Sequence, residues 1–396
     1  MKTLRQLLAL SLAAFLGLTQ ASHAAEPAVW PKPPRIEAPN WILTDVTTGQ
    51  TLASSNADAA INPASLTKLM VVYLSFTALR ERRLRLEQSI ATPAESDIPP
   101  GSRMFLTANS EASVAELLQG LIIVGANDAA LAIAKAISGS EDLFVELMNK
   151  TAEKLGMSQT RFLNATGRQQ SGHRSSVRDI AKLAEALINE FPEQLREFGR
   201  REFTYNGIRQ LNRNRLLWLD NSVDGLITTR TEADGYGIAI SARRPQPIGP
   251  RERLQRRLVA VIAGASSEEA RAQEGLKLLN FGFQQFDVLR LFRANEVSFQ
   301  VPVYKGVSAS TRIHFPKDVL VAIPRGKSKK VRTELERPTA LLAPLYAGQA
   351  VGELEIWLDD QEIHRVPMAI ADPVKPAGLF GRAVDTARLW WQSLTK

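Results

Sequence analysis

No cysteine occurs among the 396 residues, which removes disulfide frameworks, thiol nucleophiles and cysteine metal sites together. Histidine is nearly as scarce, and beyond the leader described below only His173, His314 and His364 remain. There is no Gly-x-Ser-x-Gly elbow either, so an ordinary Ser-His-Asp hydrolase is disfavoured. Internal repeats and low-complexity tracts of note are absent. The Gly-Lys-Ser within "RGKSKK" (325–330) has Val321 where the first glycine of a phosphate loop belongs, and reads as a solvated loop.

The residues that are present describe an exported globular protein. Lys2 and Arg5 precede the apolar run "LLALSLAAFLGL" at 7–18, and Ser22 and Ala24 are placed for cleavage. Residues 1–24 therefore read as a secretory signal peptide whose apolar run is too short to span a bilayer permanently. The expected location is outside the cytoplasm, from about Ala25 onward. With 44% hydrophobic and 23% charged residues the remainder is neither disordered nor multi-spanning, and its length suggests one large domain plus a smaller one. A formal charge of +8 favours anionic surroundings such as lipid headgroups or an acidic polymer. Nucleic acid is not an expected partner of an exported protein.

Patterning along the chain points to an α+β fold. "WILTD" and "TLAS" flank the turn residues "TTGQ" as a hairpin, and helical spacing then dominates from Leu66 through "VRDIAKLAEALINEF". Beyond residue 200, "EFTYNG", "GYGIAISA" and "RRLVAVIAGA" read as strands, and "SEEARAQEGLKLLNFGFQQF" as a helix. This gives a catalytic-type domain over 25–293, followed by a small all-β domain over 294–372 made of segments such as "VLVAIP" and "VGELEIWL". Residues 373–396 set Leu379, Phe380, Val384, Ala387, Trp390, Trp391 and Leu394 near one helical face. That helix either docks on the β domain or lies on an anionic membrane with its tryptophans at headgroup depth; the second is the expectation.

The stretch "NPASLTKLM" (62–70) holds the most reactive arrangement. A serine hydroxyl needs a base within hydrogen-bond reach, and with histidine scarce, lysine is the alternative. Ser65 and Lys68, three apart at a helix start, share one face. Burial or a neighbouring positive charge would lower the lysine pKa until it acts as a neutral base, and the helix N-terminus offers N–H groups to an oxyanion. The alternative is an ordinary N-cap serine and a surface lysine. The tetrapeptide "SLTK" recurs at 393–396, where no active site is expected, so the spacing alone is weak evidence.

Context strengthens it. Over nearly its whole mature length the chain resembles the low-molecular-mass penicillin-binding proteins, the serine D-Ala-D-Ala carboxypeptidases. The matching stretches are "ILTDVTTGQTLASSNADAAINPASLTKLM", "GANDAALAIAKAISGSEDLF", "LGMSQTRFLNATG", "NGIRQLNRNRLLWLDNSVDGL" and "GLKLLNFGFQQF". The resemblance implies a transpeptidase/β-lactamase-like domain of helices packed on an antiparallel sheet, a small all-β domain and a C-terminal amphipathic membrane anchor. It also implies Ser65 as the acyl-forming nucleophile, Lys68 as its general base, and Asn127 as a residue orienting the lysine and a substrate amide. Arg271 matches the family arginine that meets the substrate carboxylate, set against a plain solvated helix residue. The implied ligands are peptidoglycan stem peptides ending in D-Ala-D-Ala and, covalently, β-lactams. The implied site is the periplasmic face of the inner membrane, with no metal or organic cofactor.

Two motifs depart from the family pattern. Where the family has Ser-x-Asn, this chain reads Gly125, Ala126, Asn127, and the bland reading of Asn127 is a helix N-cap. Where the family has Lys-Thr-Gly, this chain reads Ile227, Thr228, Thr229 within an otherwise retained frame of Val223, Asp224, Gly225, Thr231, Gly235 and Tyr236. Thr228 alone of that triplet is kept as a substrate-binding candidate. Loss of a preorganised cation or donor typically costs about a hundredfold to a thousandfold in turnover. Ile227 removes a like charge that would depress the Lys68 pKa, yet dries the pocket, which depresses it. Arg230, one residue past the motif, is a candidate replacement for the missing charge, with an exposed hairpin residue as the alternative. The sequence thus supports a carboxypeptidase acting through acyl-Ser65, and alternatively a weakened homologue that binds wall peptides or partners as a regulator or scaffold.

Overall fold

The computed structural model of the protein describes residues 30–386, apart from positions 109, 250, 297, 337 and 380. The leader at 1–24 and the end of the C-terminal segment, 387–396, lie outside the described residues.

An antiparallel sheet organises the larger unit. The hairpin β1 (Asn40–Asp45) and β2 (Gln50–Ser55) is joined much later in the chain by β3 (Val223–Gly225), β4 (Thr228–Thr231), β5 (Gly235–Pro247) and β6 (Arg253–Ala265). The order is β2-β1-β6-β5-β3, with β4 also pairing to β5. Register follows side-chain alternation: on β6, Leu258, Ala260 and Ile262 enter one core, and Val259, Val261 and Ala263 enter the other. With both faces covered, the strand reads as a nearly continuous apolar run rather than an alternating one.

On one face lie α1 (Lys68–Arg80), α2 (Val114–Val124), α3 (Asn127–Ser138), α4 (Glu141–Lys154) and α5 (Val177–Glu190); on the other lies α6 (Glu268–Gln285). α1 is buried without a break from Lys68 to Phe76, the signature of a central helix rather than a surface one. A buried leucine such as Leu69 is worth about 2–5 kcal/mol against truncation to alanine. α2 begins with a capping box between Ser113 and Glu116 and stops at Gly125 in the left-handed conformation. This sharp stop lets α3 start two residues later and leaves the α2–α3 junction facing the start of α1.

The second unit is all β. Strand β7 (Phe286–Phe292) lies ahead of the boundary expected at 294, yet it pairs with β10 (Val319–Pro324), so it bridges the two units. The strands β8 (Ser298–Tyr304), β9 (Ser310–His314), β11 (Val331–Glu336), β12 (Leu341–Leu342), β13 (Ala350–Leu358) and β14 (Gln361–Ile370) form one sheet ordered β11-β13-β14-β9-β8-β12. Their core is separate, built on Val301, Ile313, Phe315, Val321, Ile356 and Met368.

Two buried polar links join the units. The Gln50 side chain acts as a one-residue strand partner for Ala322, accepting from its N–H at 2.6 Å and donating to its carbonyl at 3.2 Å. Arg256, fully buried, pairs with Asp45 at 2.7 Å and donates to the Phe286 carbonyl at 3.0 Å. Residues 379 and 381–386 at the end of the described chain are helical, and Leu379 and Val384 there are exposed. Among the described residues no helix is long and apolar enough to cross a membrane.

Candidate active site

A cavity of about 930 Å³ opens where the start of α1, the α2–α3 junction, the turn at 164–168 and strand β4 converge. All six residues singled out in the sequence, Ser65, Lys68, Asn127, Thr228, Arg230 and Arg271, line it. The substituted positions Gly125, Ile227 and Thr229 line it too.

Ser65 is not an N-cap. It lies inside a 3-10 turn, Ala64–Thr67, that runs straight into α1, and Pro63 precedes the turn in the cap position. Proline suits a helix entry because its missing N–H has no intrahelical partner to lose. The turn is tightly held. Asn62 Oδ1 accepts from Ala64 N at 3.1 Å, and Ala64 takes a left-handed φ of 42°. Gly167 presses directly on the peptide before Ser65: a Cβ at that position would fall 1.8 Å from the Ala64 carbonyl oxygen. Only glycine fits there.

Gly167 belongs to the "NATG" turn, and its neighbours explain the lysine. Asn164 Oδ1 accepts from Gly167 N at 2.7 Å and Arg168 N at 3.0 Å, the local bonding that asparagine brings to turns. The turn so formed presents the Thr166 carbonyl to Lys68 Nζ at 2.5 Å. Lys68 is 1% exposed. Burial foremost, then the positive charge of Arg213, brings its ammonium down to about 7, against a smaller opposing pull from Asp128. The drying effect and a cation from elsewhere together replace the like charge that Ile227 removed.

His173 is excluded as the base. Its Nδ1 accepts from Leu163 N at 3.0 Å, so Nε2 bears the proton and donates to Thr67 Oγ1 at 2.9 Å. Burial drops its pKa to about 4 and keeps it neutral. It braces the residue before Lys68 and does not serve Ser65.

The roof of the cleft hangs on the start of α3. Ala126 holds the cap position, so Asn127 is the first helical residue and not its N-cap. Its Nδ2 donates to the carbonyls of Pro100 at 3.0 Å and Pro99 at 3.3 Å. Asp128 next to it accepts from Met104 N and Leu106 N, each at 3.1 Å. Two consecutive side chains thus fix segment 99–106 over the cavity. Lys68 Nζ donates to the Thr166 carbonyl, while the Asn127 amide nitrogen is spent on Pro99 and Pro100. Gly125, with φ 69°, has open space around its missing Cβ.

The opposite wall is β4 and the residue before it. Ile227 is buried against the helical core, and Thr229 is buried with its Oγ1 accepting from Ser65 N at 3.0 Å. Thr228 is half-buried and Arg230 is exposed, its guanidinium 5.4 Å from the Tyr236 ring. Arg271, 4% exposed, donates to the carbonyls of Thr229 and Arg213, each at 3.2 Å. Arg213, Arg230 and Arg271 therefore make one end of the cleft cationic. Arg213, Thr166, Gly167 and Asp128 were not distinguished by the sequence; the Asn-x-Thr-Gly turn chemistry was the available signal for two of them.

A hydroxyl on a helix start, a buried amine titrating near neutrality and a cationic end suit acyl transfer on a substrate that ends in a carboxylate. Residues 27–266 match the family model described as D-alanyl-D-alanine carboxypeptidase. The chain belongs to that family.

Residues 286–376 match the penicillin-binding protein 5 C-terminal domain. D-alanyl-D-alanine carboxypeptidase DacC of Escherichia coli K12 is 35% identical over 382 residues, covering 94% of this chain and 92% of that protein. DacA of Haemophilus influenzae is 34% identical over 381 residues, covering 94% and 95%. The crystal structure of penicillin-binding protein 5 from Haemophilus influenzae superimposes with a TM-score of 0.76 at 33% identity, covering 87% of this chain and 99% of that one. Family membership and the two-part architecture, a mixed helix and sheet domain followed by an all-β domain, agree with the expectation from sequence.

Proposed function

We propose that this family member is a serine D-Ala-D-Ala carboxypeptidase acting on peptidoglycan stem peptides, with Ser65 as nucleophile and Lys68 as base. The observation that supports it most is the buried Lys68, whose pKa of about 7 leaves a large neutral fraction at physiological pH beside a serine on the same face of a helix start. Ser65 Oγ attacks the carbonyl carbon between the two terminal residues and gives its proton to Lys68 Nζ. Collapse of the tetrahedral intermediate breaks the amide bond, and the departing amine takes that proton. Water then hydrolyses the acyl-Ser65 ester. Arg271, Arg213 and Arg230 offer their charges to the substrate's terminal carboxylate, and Thr228 lies on the same wall.

β-Lactams are expected to stop at the acyl stage. Intact-mass measurement after penicillin treatment should show one covalent adduct that disappears in Ser65→Ala, and D-alanine release from a peptide ending in D-Ala-D-Ala should vanish with it. No adduct in a folded protein would move the reading to a weakened homologue that binds wall peptides or partners, which the substitutions at Gly125, Ile227 and Thr229 favour.

The export and membrane readings also belong to this proposal. The chain is exported by its leader and attaches peripherally to the periplasmic face of the inner membrane through 373–396. Asp385 accepts from Lys305 N at 2.5 Å, so the start of the helix is tied to the β domain, while the exposed Leu379 and Val384 leave apolar side chains free to meet a membrane. Vesicle flotation with a truncation after Ala377, which keeps the buried Val374 in the β-domain core, tests it: loss of flotation is expected, and retained flotation would overturn it.

A further inference from the structure

Ser65 lies in the first turn of a helix, where a backbone N–H has no intrahelical carbonyl to meet. In acyl transfer such a donor beside the nucleophile is the group that receives the carbonyl oxygen as it becomes negative, at 2.7–3.1 Å. Here that donor is already occupied: Ser65 N donates to Thr229 Oγ1 at 3.0 Å. We propose that the Thr229 hydroxyl stands in the place of the substrate's acyl oxygen in the resting enzyme, so that Thr229 gates the acylation of Ser65. This rests on the reading of Ser65 as the nucleophile.

A second observation fixes the side chain in that pose. Thr229 is branched at Cβ and has few χ1 choices. Its γ-methyl fills space that Gly237 leaves open on the neighbouring strand, where a Cβ would fall 2.8 Å from Thr229 Cγ2. With the methyl packed there, the hydroxyl points at Ser65. The backbone is held as well, since Arg271 donates to the Thr229 carbonyl. Thr229 is 7% exposed, so water does not readily replace the contact. When Ser65 Oγ bonds to the carbonyl carbon, the C=O electron pair moves onto oxygen and the Oγ proton moves to Lys68 Nζ. That oxygen reaches the Ser65 N–H only after the Thr229 side chain turns away and its methyl leaves the Gly237 site. The residue adds a barrier to the chemical step and leaves the carboxylate-binding end of the cleft untouched.

The test is acylation of the full chain by a fluorescent penicillin, with initial binding separated from the first-order acylation step, for the parent, Thr229→Gly and Thr229→Ala. The expected result is a rise of about 10- to 100-fold in the first-order step for Thr229→Gly, with a smaller rise for Thr229→Ala and little change in initial binding. Thr229→Ala keeps a Cβ on the strand and decides the matter if the glycine variant does not fold. An unchanged or lower first-order rate in the folded variants overturns the gate, while Ser65-dependent labelling of the parent leaves the nucleophile reading standing. No labelling in the parent or either variant, with folding shown by circular dichroism, overturns both.

Discussion

The two walls of the cleft have been treated differently. On the wall formed by the start of α1 and the 164–168 turn, every contact serves the reactive pair: Gly167 against Ala64, Asn164 shaping the turn, Thr166 on Lys68. On the wall formed by β4, Ile227 and Thr229 stand where the family resemblance implies a lysine and a glycine, and Thr229 bonds to the nucleophile's own N–H. Activation comes from the helical side of the cleft. The depressed pKa of Lys68 arises first from burial, a property of the helical core, and only second from a neighbouring charge, so one wall can change while the base keeps its character.

The largest effects are expected on the first wall. Ser65→Ala should lower peptide turnover by on the order of 10⁴-fold or more, measured as D-alanine release, because the acyl intermediate is lost. Lys68→Met should cost about 10²- to 10⁴-fold in acylation. It should also raise unfolding free energy by about 1–4 kcal/mol in urea titrations, since an apolar chain replaces a buried amine. Gly167→Ala forces the turn away from Ala64 and should cost on the order of a hundredfold in acylation through misplacement of Ser65.

Acidity separates the two sources of activation. Raising pH through about 7 deprotonates Lys68, so the acylation rate should climb with pH and level off above neutrality. For folding, the lysine of the unfolded chain keeps its proton up to about 10.5 while the folded one releases it near 7. Between those values the unfolded state binds more protons, and this group's contribution to stability rises with pH. Arg213→Ala removes the second, positive cause and should move the rate inflection upward by less than about one unit, shrinking further in high salt because Arg213 is exposed. At the small end, Arg365→Ala dissolves a surface cluster with Glu336, Glu353, Glu355 and Glu362 in the β domain. It should shift Tm by about 2 °C or less and leave acylation unchanged.

Much of this organisation was legible in the chain. The apolar run of β6 announces a strand that packs on both faces, the helical spacing of α1 announces a central helix of one core, and the Ser65–Lys68 spacing located the cleft. What stayed hidden depends on distant segments meeting. The need for glycine at 167 is a collision with residue 64, the roof depends on Asn127 and Asp128 reaching back to 99–106, and Arg213 acts on Lys68 through space. Local pattern holds no trace of such contacts. The cap roles weighed for Ser65 and Asn127 failed for a simpler reason, since a proline or alanine one or two places earlier already held the cap position. The boundary near 294 passed over a strand because Phe286–Phe292 follows α6 without a break.

The side chain of Gln50, matching both backbone groups of Ala322, has a mechanical meaning. Together with Arg256 reaching the Phe286 carbonyl, it makes the join between the two units stiff in torsion as well as in distance. The β domain is then a spacer of set length and set angle. Under the attachment proposed above, the mouth of the cleft would be carried at a height set by the β domain.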